Sequence, residues 1–154
     1  MNRAEMIVEF HIENASNICL SEEWNKPGVW IAYGKSEEDV DYICLEVGQT
    51  SNIKNELEND FKLLIKDGCK DGVKVRCFRK WSKPFLKKDG ETRYIAKWRD
   101  IANLYQSICV KYVSGSEAWE LQKRIEEEIN IAICLQALYF YPDNTKKQCN
   151  FIRQ

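Results

Sequence analysis

The sequence predicts an α+β protein in which a small mixed or antiparallel sheet is flanked by three helices, in the order β-β-β-α-β-α-β-α. Two observations carry that prediction. Apolar residues alternate with polar ones in five short runs and recur at helical spacing in three longer ones. The first three strand-like runs precede any helix, and a short polar segment that suits a hairpin joins the second to the third. At 154 residues and 18.1 kDa, the chain fits a single domain, residues 1–154, built on one core. Hydrophobic residues at 44% and charged ones at 31% exclude a disordered chain.

Met6, Val8, Phe10 and Ile12 alternate with Ile7, Glu9, His11 and Glu13, the pattern of a half-buried strand that leaves His11 exposed. Residues 28–34 (GVWIAYG) and 40–48 (VDYICLEVG) form the hairpin, with KSEED in its loop. The period then changes. Ile53, Leu57, Phe61 and Leu64 recur at helical spacing, with Ser51 or Asn52 as cap and Gly68 just past the end. Val73, Val75 and Cys77 alternate with Lys74, Arg76 and Phe78, a short strand whose second face is basic. Residues 80–91, with Pro84 and a Lys-Asp-Gly turn, read as a loop. Tyr94, Trp98, Ile101 and Tyr105 mark a helical face, and Ile108, Val110 and Tyr112 a last strand. Ser114-Gly115-Ser116-Glu117 reads as a capping box opening a long helix, striped by Leu121, Ile125, Ile129 and Ile133 and ended by Pro142. Its second half is apolar nearly all round and is expected at the centre of the core.

Several function classes fall away. The seven cysteines include no C-x-x-C or C-x-x-x-x-C pair and the chain has one His, so no zinc-ligand spacing appears. They read as small, mostly buried, reduced hydrophobes. The opening residues MNRAEMIVEF carry acids where a signal peptide needs an apolar run. The longest apolar stretch, residues 131–141, is 11 residues and contains Gln136, against the roughly 20 that a membrane span requires. A cytoplasmic protein without a membrane partner is expected.

The net charge of −1 hides an asymmetry. Residues 74–99 hold ten basic groups (Lys74, Arg76, Arg79, Lys80, Lys83, Lys87, Lys88, Arg93, Lys97, Arg99) against Asp89 and Glu91, a balance of +8. Residues 1–73 balance at −8. Phe78, Trp81, Phe85, Tyr94 and Trp98 interleave the basic segment. Cations neutralise phosphates with counterion release, and aromatic faces stack on unpaired bases, so DNA or RNA is one expected partner. The alternative is that the basic segment docks on the acidic half of the same chain, with Phe78 and Trp98 in the core.

Residues 26–61 (KPGVWIAYGKSEEDVDYICLEVGQTSNIKNELENDF) resemble the core of the GIY-YIG nuclease superfamily. Pro27-Gly28-Val29-Trp30 matches its first strand, Glu46-Val47-Gly48-Gln49-Thr50 its second, and Asn52-Ile53 the start of its helix. The resemblance implies a hairpin, a Gly-containing turn into a helix, and a later strand and helix. It also implies a site in which two tyrosines handle the attacking water and a helix Arg meets the phosphate. A Glu on the last helix would hold one divalent metal, Mg²⁺ if the protein is active.

Here the positions of the two tyrosines are Trp30 and Glu46, and that of the Arg, eight residues after Gly48, is Glu56. Trp30 lacks a hydroxyl, and a carboxylate at 56 would repel the scissile group. Tyr33 and Tyr42, on the hairpin strands, are the candidates for a shifted geometry. Glu127, between Glu126 and Glu128, is the metal candidate. The sequence thus expects a degenerate nuclease-like domain that binds nucleic acid through Arg76, Arg79, Lys80, Trp81, Lys83, Lys87, Lys88, Arg93 and Lys97. Two alternatives stay open: a divergent Mg²⁺-dependent endonuclease, and an interaction or inhibitor module of a mobile element whose acidic half meets a basic protein.

Overall fold

The computed structural model describes residues 6–75 and 79–140. Its elements are β1 (Ile7–His11), β2 (Gly28–Lys35), β3 (Ile43–Thr50), α1 (Ile53–Phe61), β4 (Val73–Val75), β5 (Phe85–Lys87), α2 (Arg93–Leu104), β6 (Ser107–Tyr112) and α3 (Leu121–Cys134). β1, β6, β2 and β3 lie side by side in that order, every pair antiparallel. β4 and β5 form a separate antiparallel ribbon. The α+β class is as expected.

Strand alternation sorts the sheet into two apolar faces. On one, Trp30, Ala32, Leu45, Ile108 and Val110 pack with Ile53, Leu57 and Phe61 of α1 and Trp98, Ile101 and Ala102 of α2. On the other, Val29, Cys44 and Val47 pack with Ile129 and Ala132 of α3. A β-bulge interrupts the alternation. Ala32 faces Glu46 across the hairpin, but Tyr33 faces Cys44, so Leu45 is the extra residue. That insertion resets the parity: Leu45 and Glu46 both serve the face covered by α1 and α2.

The structure corrects several element boundaries. Val40 lies in the hairpin loop and is exposed, and the third strand begins only at Ile43. Residues 80–91 are not all loop, since β5 pairs there with β4. Residues 76–78, expected to extend the basic strand, lie outside the described residues. Tyr94 is 40% exposed, and Ala102 joins Trp98, Ile101 and Tyr105 inside. Of the cysteines described, Cys44 and Cys109 are buried, Cys69 is half-buried, and Cys19 and Cys134 are exposed; all five are free thiols.

The expected capping box does not open α3. The buried Ser116 Oγ accepts from the Val29 N–H at 2.9 Å and donates to the Val113 carbonyl at 2.7 Å, tying this turn to β2. Residues 116–118 make a 3-10 turn, and α3 starts at Leu121. Nor does Pro142 end it. Gln136 takes a left-handed φ of 50°, with Ala137 N–H bonded to the Ala132 carbonyl and Gln136 N–H to that of Ile133. This paired closure ends a helix and turns the chain. The turned chain lets Leu138 and Tyr139 donate to the carbonyls of Cys44 and Leu45. The helix is therefore shorter than expected and lies on one sheet face, with Leu121 and Leu135 exposed.

Candidate functional site

Three positions picked out by the sequence meet at the junction of β2, β3, α1 and α2. Trp30 Nε1 donates to Glu56 Oε2 at 2.8 Å. Lys97 of α2 forms an ion pair with Glu46 through Nζ and Oε1. Lys97 is only 3% exposed, and its ammonium lies 4.9 Å from the Tyr94 ring centroid and 5.0 Å from that of Trp98. The Trp30 and Trp98 rings sit 6.5 Å apart.

The local sequence dictates this assembly. Gly48 faces Trp30 across the hairpin, and the indole fills the space where a Cβ would stand. Asn52 caps α1, its side chain accepting from the Asn55 N–H at 3.0 Å, while Ile53 N–H bonds the Lys26 carbonyl at 2.9 Å. These anchors fix the start of α1 and so place Glu56. The bulge at Leu45 places Glu46. Asp60 follows from Ile53 by two helical turns and lies on the same buried stripe.

Asp60 is the residue that the expected site lacked. It is 1% exposed, and among the described residues neither of its carboxylate oxygens has a hydrogen-bond partner; the same holds for Glu46 Oε2 and Trp98 Nε1. Three carboxyl groups thus share an enclosed space with one ammonium. Burial raises all three. Asp60 is pushed up to about 9 by desolvation, reinforced by the Glu46 charge. Glu56 is pushed up to about 7, burial outweighing the Trp30 hydrogen bond. Burial also raises Glu46, against the pull of the Lys97 ammonium. The cluster thus pairs Lys97 with Glu46 by geometry, while burial keeps Asp60 a neutral acid at neutral pH.

This arrangement has no hydroxyl at residue 30 and no cation offered to a phosphate at residue 56. Its single ammonium is spent on Glu46. Tyr33 and Tyr42 do not compensate. Tyr33 packs with Ile31 in the layer under α3, on the other sheet face from Trp30. Tyr42 donates to Glu9 Oε1 at 2.8 Å, and burial together with that bond pushes its phenol up to about 12, unsuited to a general base.

Glu127 also lies apart, because α3 packs on the face opposite the Trp30 cluster. Among the described residues no three His, Cys, Asp or Glu side chains gather into a metal site. The residues present do not fit the Mg²⁺ centre that the resemblance implies.

The basic segment is divided. Lys97 is corrected outright, since its burial keeps it from any phosphate. Lys88 pairs with Asp67 at 2.9 Å, Lys83 with Asp100 at 2.8 Å, and the nearly buried Arg99 with both oxygens of Glu91 at 2.7 and 2.5 Å. Two of these partners, Glu46 and Asp67, belong to the acidic half, as the self-docking alternative expects. Lys74, Lys80 and Arg93 are exposed and Lys87 is half-buried. The Arg79 guanidinium lies 5.9 Å from the half-buried Trp81 ring. Arg76 is outside the described residues.

No helix among the described residues is long and apolar enough to cross a membrane. No family model, curated protein or solved structure matches the chain.

Proposed function

We propose that this chain is a nucleic-acid-binding domain of GIY-YIG-like design in which the ancestral cleavage site has become part of the core. One observation carries the reading: Trp30 and Glu56 are bonded to each other beside the Lys97–Glu46 pair. These are the positions where the resemblance places two water-handling tyrosines and a phosphate-binding Arg. Trp30 and Glu56 now bond each other and Lys97 holds Glu46, and the residues that complete the cluster, Asp60, Lys97 and Trp98, are buried.

Binding falls to the ribbon β4–β5 and to α2, which packs on β5. Lys74, Lys80 and Arg93 supply solvent-exposed cations, with Lys87 beside them and Tyr94 exposed at the start of α2. Such cations hold a phosphate backbone by displacing its counterions, without reading sequence.

The test incubates end-labelled single- and double-stranded DNA and RNA with the chain and Mg²⁺, then resolves complexes and fragments on parallel gels. Retarded, intact strands are expected. Metal-dependent cleavage that disappears in Glu127→Gln would overturn the reading in favour of a nuclease. Failure to retard any strand, with a basic protein captured instead, would assign function to the acidic half.

A further inference from the structure

The surface of β4, β5 and α2 carries more than cations. The ribbon is rooted by its Val75–Phe85 rung, where Phe85 is buried with its ring centroid 5.9 Å from that of Tyr139. The two remaining rungs lie nearer solvent, and each sets one apolar side chain opposite one lysine. Lys74 faces Leu86, and Val73 faces Lys87. Val73 is 71% exposed and Leu86 38%.

The first turn of α2 repeats this mixture. The exposed Arg93 is followed by Tyr94 and Ile95, each 40% exposed. Arg99 ties that turn to the ribbon. Its Nη2 donates to the Leu86 carbonyl at 3.1 Å, and both terminal nitrogens bond Glu91, just before the helix. Ile95 lies one helical turn before Arg99 and so shares its side of α2. Tyr94 is steadied from within, the buried Lys97 ammonium lying 4.9 Å from its ring centroid. Four large apolar side chains are thus held among cations, on elements fixed to each other, instead of being hidden.

A lone exposed hydrophobe needs no partner, whereas several held together mark a contact surface. Lys74, Lys87 and Arg93 call for an anion, and Val73, Leu86, Tyr94 and Ile95 call for an apolar face on the same ligand. A duplex turns its phosphates outward and keeps its base faces stacked inside. An unpaired strand offers both in alternation, and an aromatic ring stacks on any base. We propose that this surface selects single-stranded over double-stranded nucleic acid, with phosphates on Lys74, Lys87 and Arg93 and unstacked bases against Tyr94, Leu86 and Ile95. The proposal rests on the nucleic-acid reading above and narrows it to one class of ligand. Of the nearby acids, Glu91 is held by Arg99 and Asp67 by Lys88, while Asp71 and Asp89 are exposed and oppose the strand.

The test follows the fluorescence anisotropy of three labelled probes of equal length at one salt concentration: an oligothymidylate strand, its duplex with oligoadenylate, and an abasic strand that keeps the phosphates without the bases. Oligothymidylate should bind about tenfold or more tighter than either of the others. Tyr94→Ala should weaken it about tenfold and leave the abasic strand unaffected. Tyr94→Phe should keep the wild-type affinity, and Arg93→Gln should weaken both strands alike. Leu86→Ser carries the same comparison if Tyr94→Ala does not fold. Oligouridylate in place of oligothymidylate separates RNA from DNA, and tight binding of either satisfies the proposal. Equal affinities for the three probes, or no effect of replacing Tyr94 and Leu86, would overturn the proposal and leave the nucleic-acid reading standing. No binding of any probe would overturn both. Binding instead to vesicles of phosphatidylcholine and phosphatidylserine would overturn both in favour of an anionic lipid surface.

Discussion

Gly48 of β3 stands directly opposite Trp30 of β2, and the indole occupies the volume that any larger residue at 48 would need. The glycine is thus required by its neighbour rather than by its own backbone conformation. It also lets the ring turn its Nε1 toward Glu56. Gly48→Ala should overpack this contact and destabilise the protein by about 1–3 kcal/mol. Pairing it with Trp30→Leu, which vacates the space, should restore much of the loss. Denaturant midpoints for the two single variants and the double variant measure the coupling; additive effects would show that the two residues do not share this space.

The Lys97–Glu46 pair makes a sharper prediction. Removing one member leaves a buried charge alone, so Lys97→Met should cost about 3–5 kcal/mol. Adding Glu46→Gln should recover most of that loss, because the stranded carboxylate is then gone. Urea titrations of the three variants check this. A double variant no better than Lys97→Met would show that packing of the lysine stem matters more than its charge.

Asp60 and Glu56 predict a pH dependence whose sign follows from their upward shifts. In the folded chain they keep protons to about pH 9 and about pH 7, whereas unfolded carboxyls lose them in the ordinary acidic range. The folded state binds more protons across that window, so stability falls as pH rises from the ordinary carboxylate range to about 9. The slope approaches about 1.4 kcal/mol per pH unit for each proton involved. Asp60 dominates, because Glu56 is partly open to solvent. Asp60→Asn, neutral at every pH, should flatten the profile between pH 7 and about 9. A wild-type profile already flat there would contradict the buried cluster.

Much of the architecture was legible because it rests on periodicity. The hairpin, the Asn52 cap, the apolar stripe of α1 and the last strand all follow from spacing that burial rewards. What escaped notice depended on long-range partners. Ser116 has the chemistry of a cap, but its hydroxyl is taken by β2, so the helix starts later. β5 is three residues long, too short to display a period, and Pro84 just before it reads as a loop signal. The bulge at Leu45 changes parity without any glycine to mark it. Trp30, Glu46 and Glu56 come together through Gly48, the bulge at Leu45 and the Asn52 cap, long-range and local devices that no period displays. Asp60 gave a signal that went unused: an acid on the apolar stripe defined by Ile53, Leu57 and Phe61. Lys97 looked like one more cation in a basic run, because only the fold reveals that it faces Glu46.

Fluorescence anisotropy of a labelled oligonucleotide, titrated with the chain at several salt concentrations, tests the central claim most directly. The logarithm of the association constant should fall linearly with the logarithm of salt concentration. Replacing Lys74, Lys80 and Arg93 one at a time by Gln should lower that slope by about 1 each, with the oligonucleotide intact at the end. No binding at ~50 mM salt, or binding whose slope ignores all three substitutions, would contradict it.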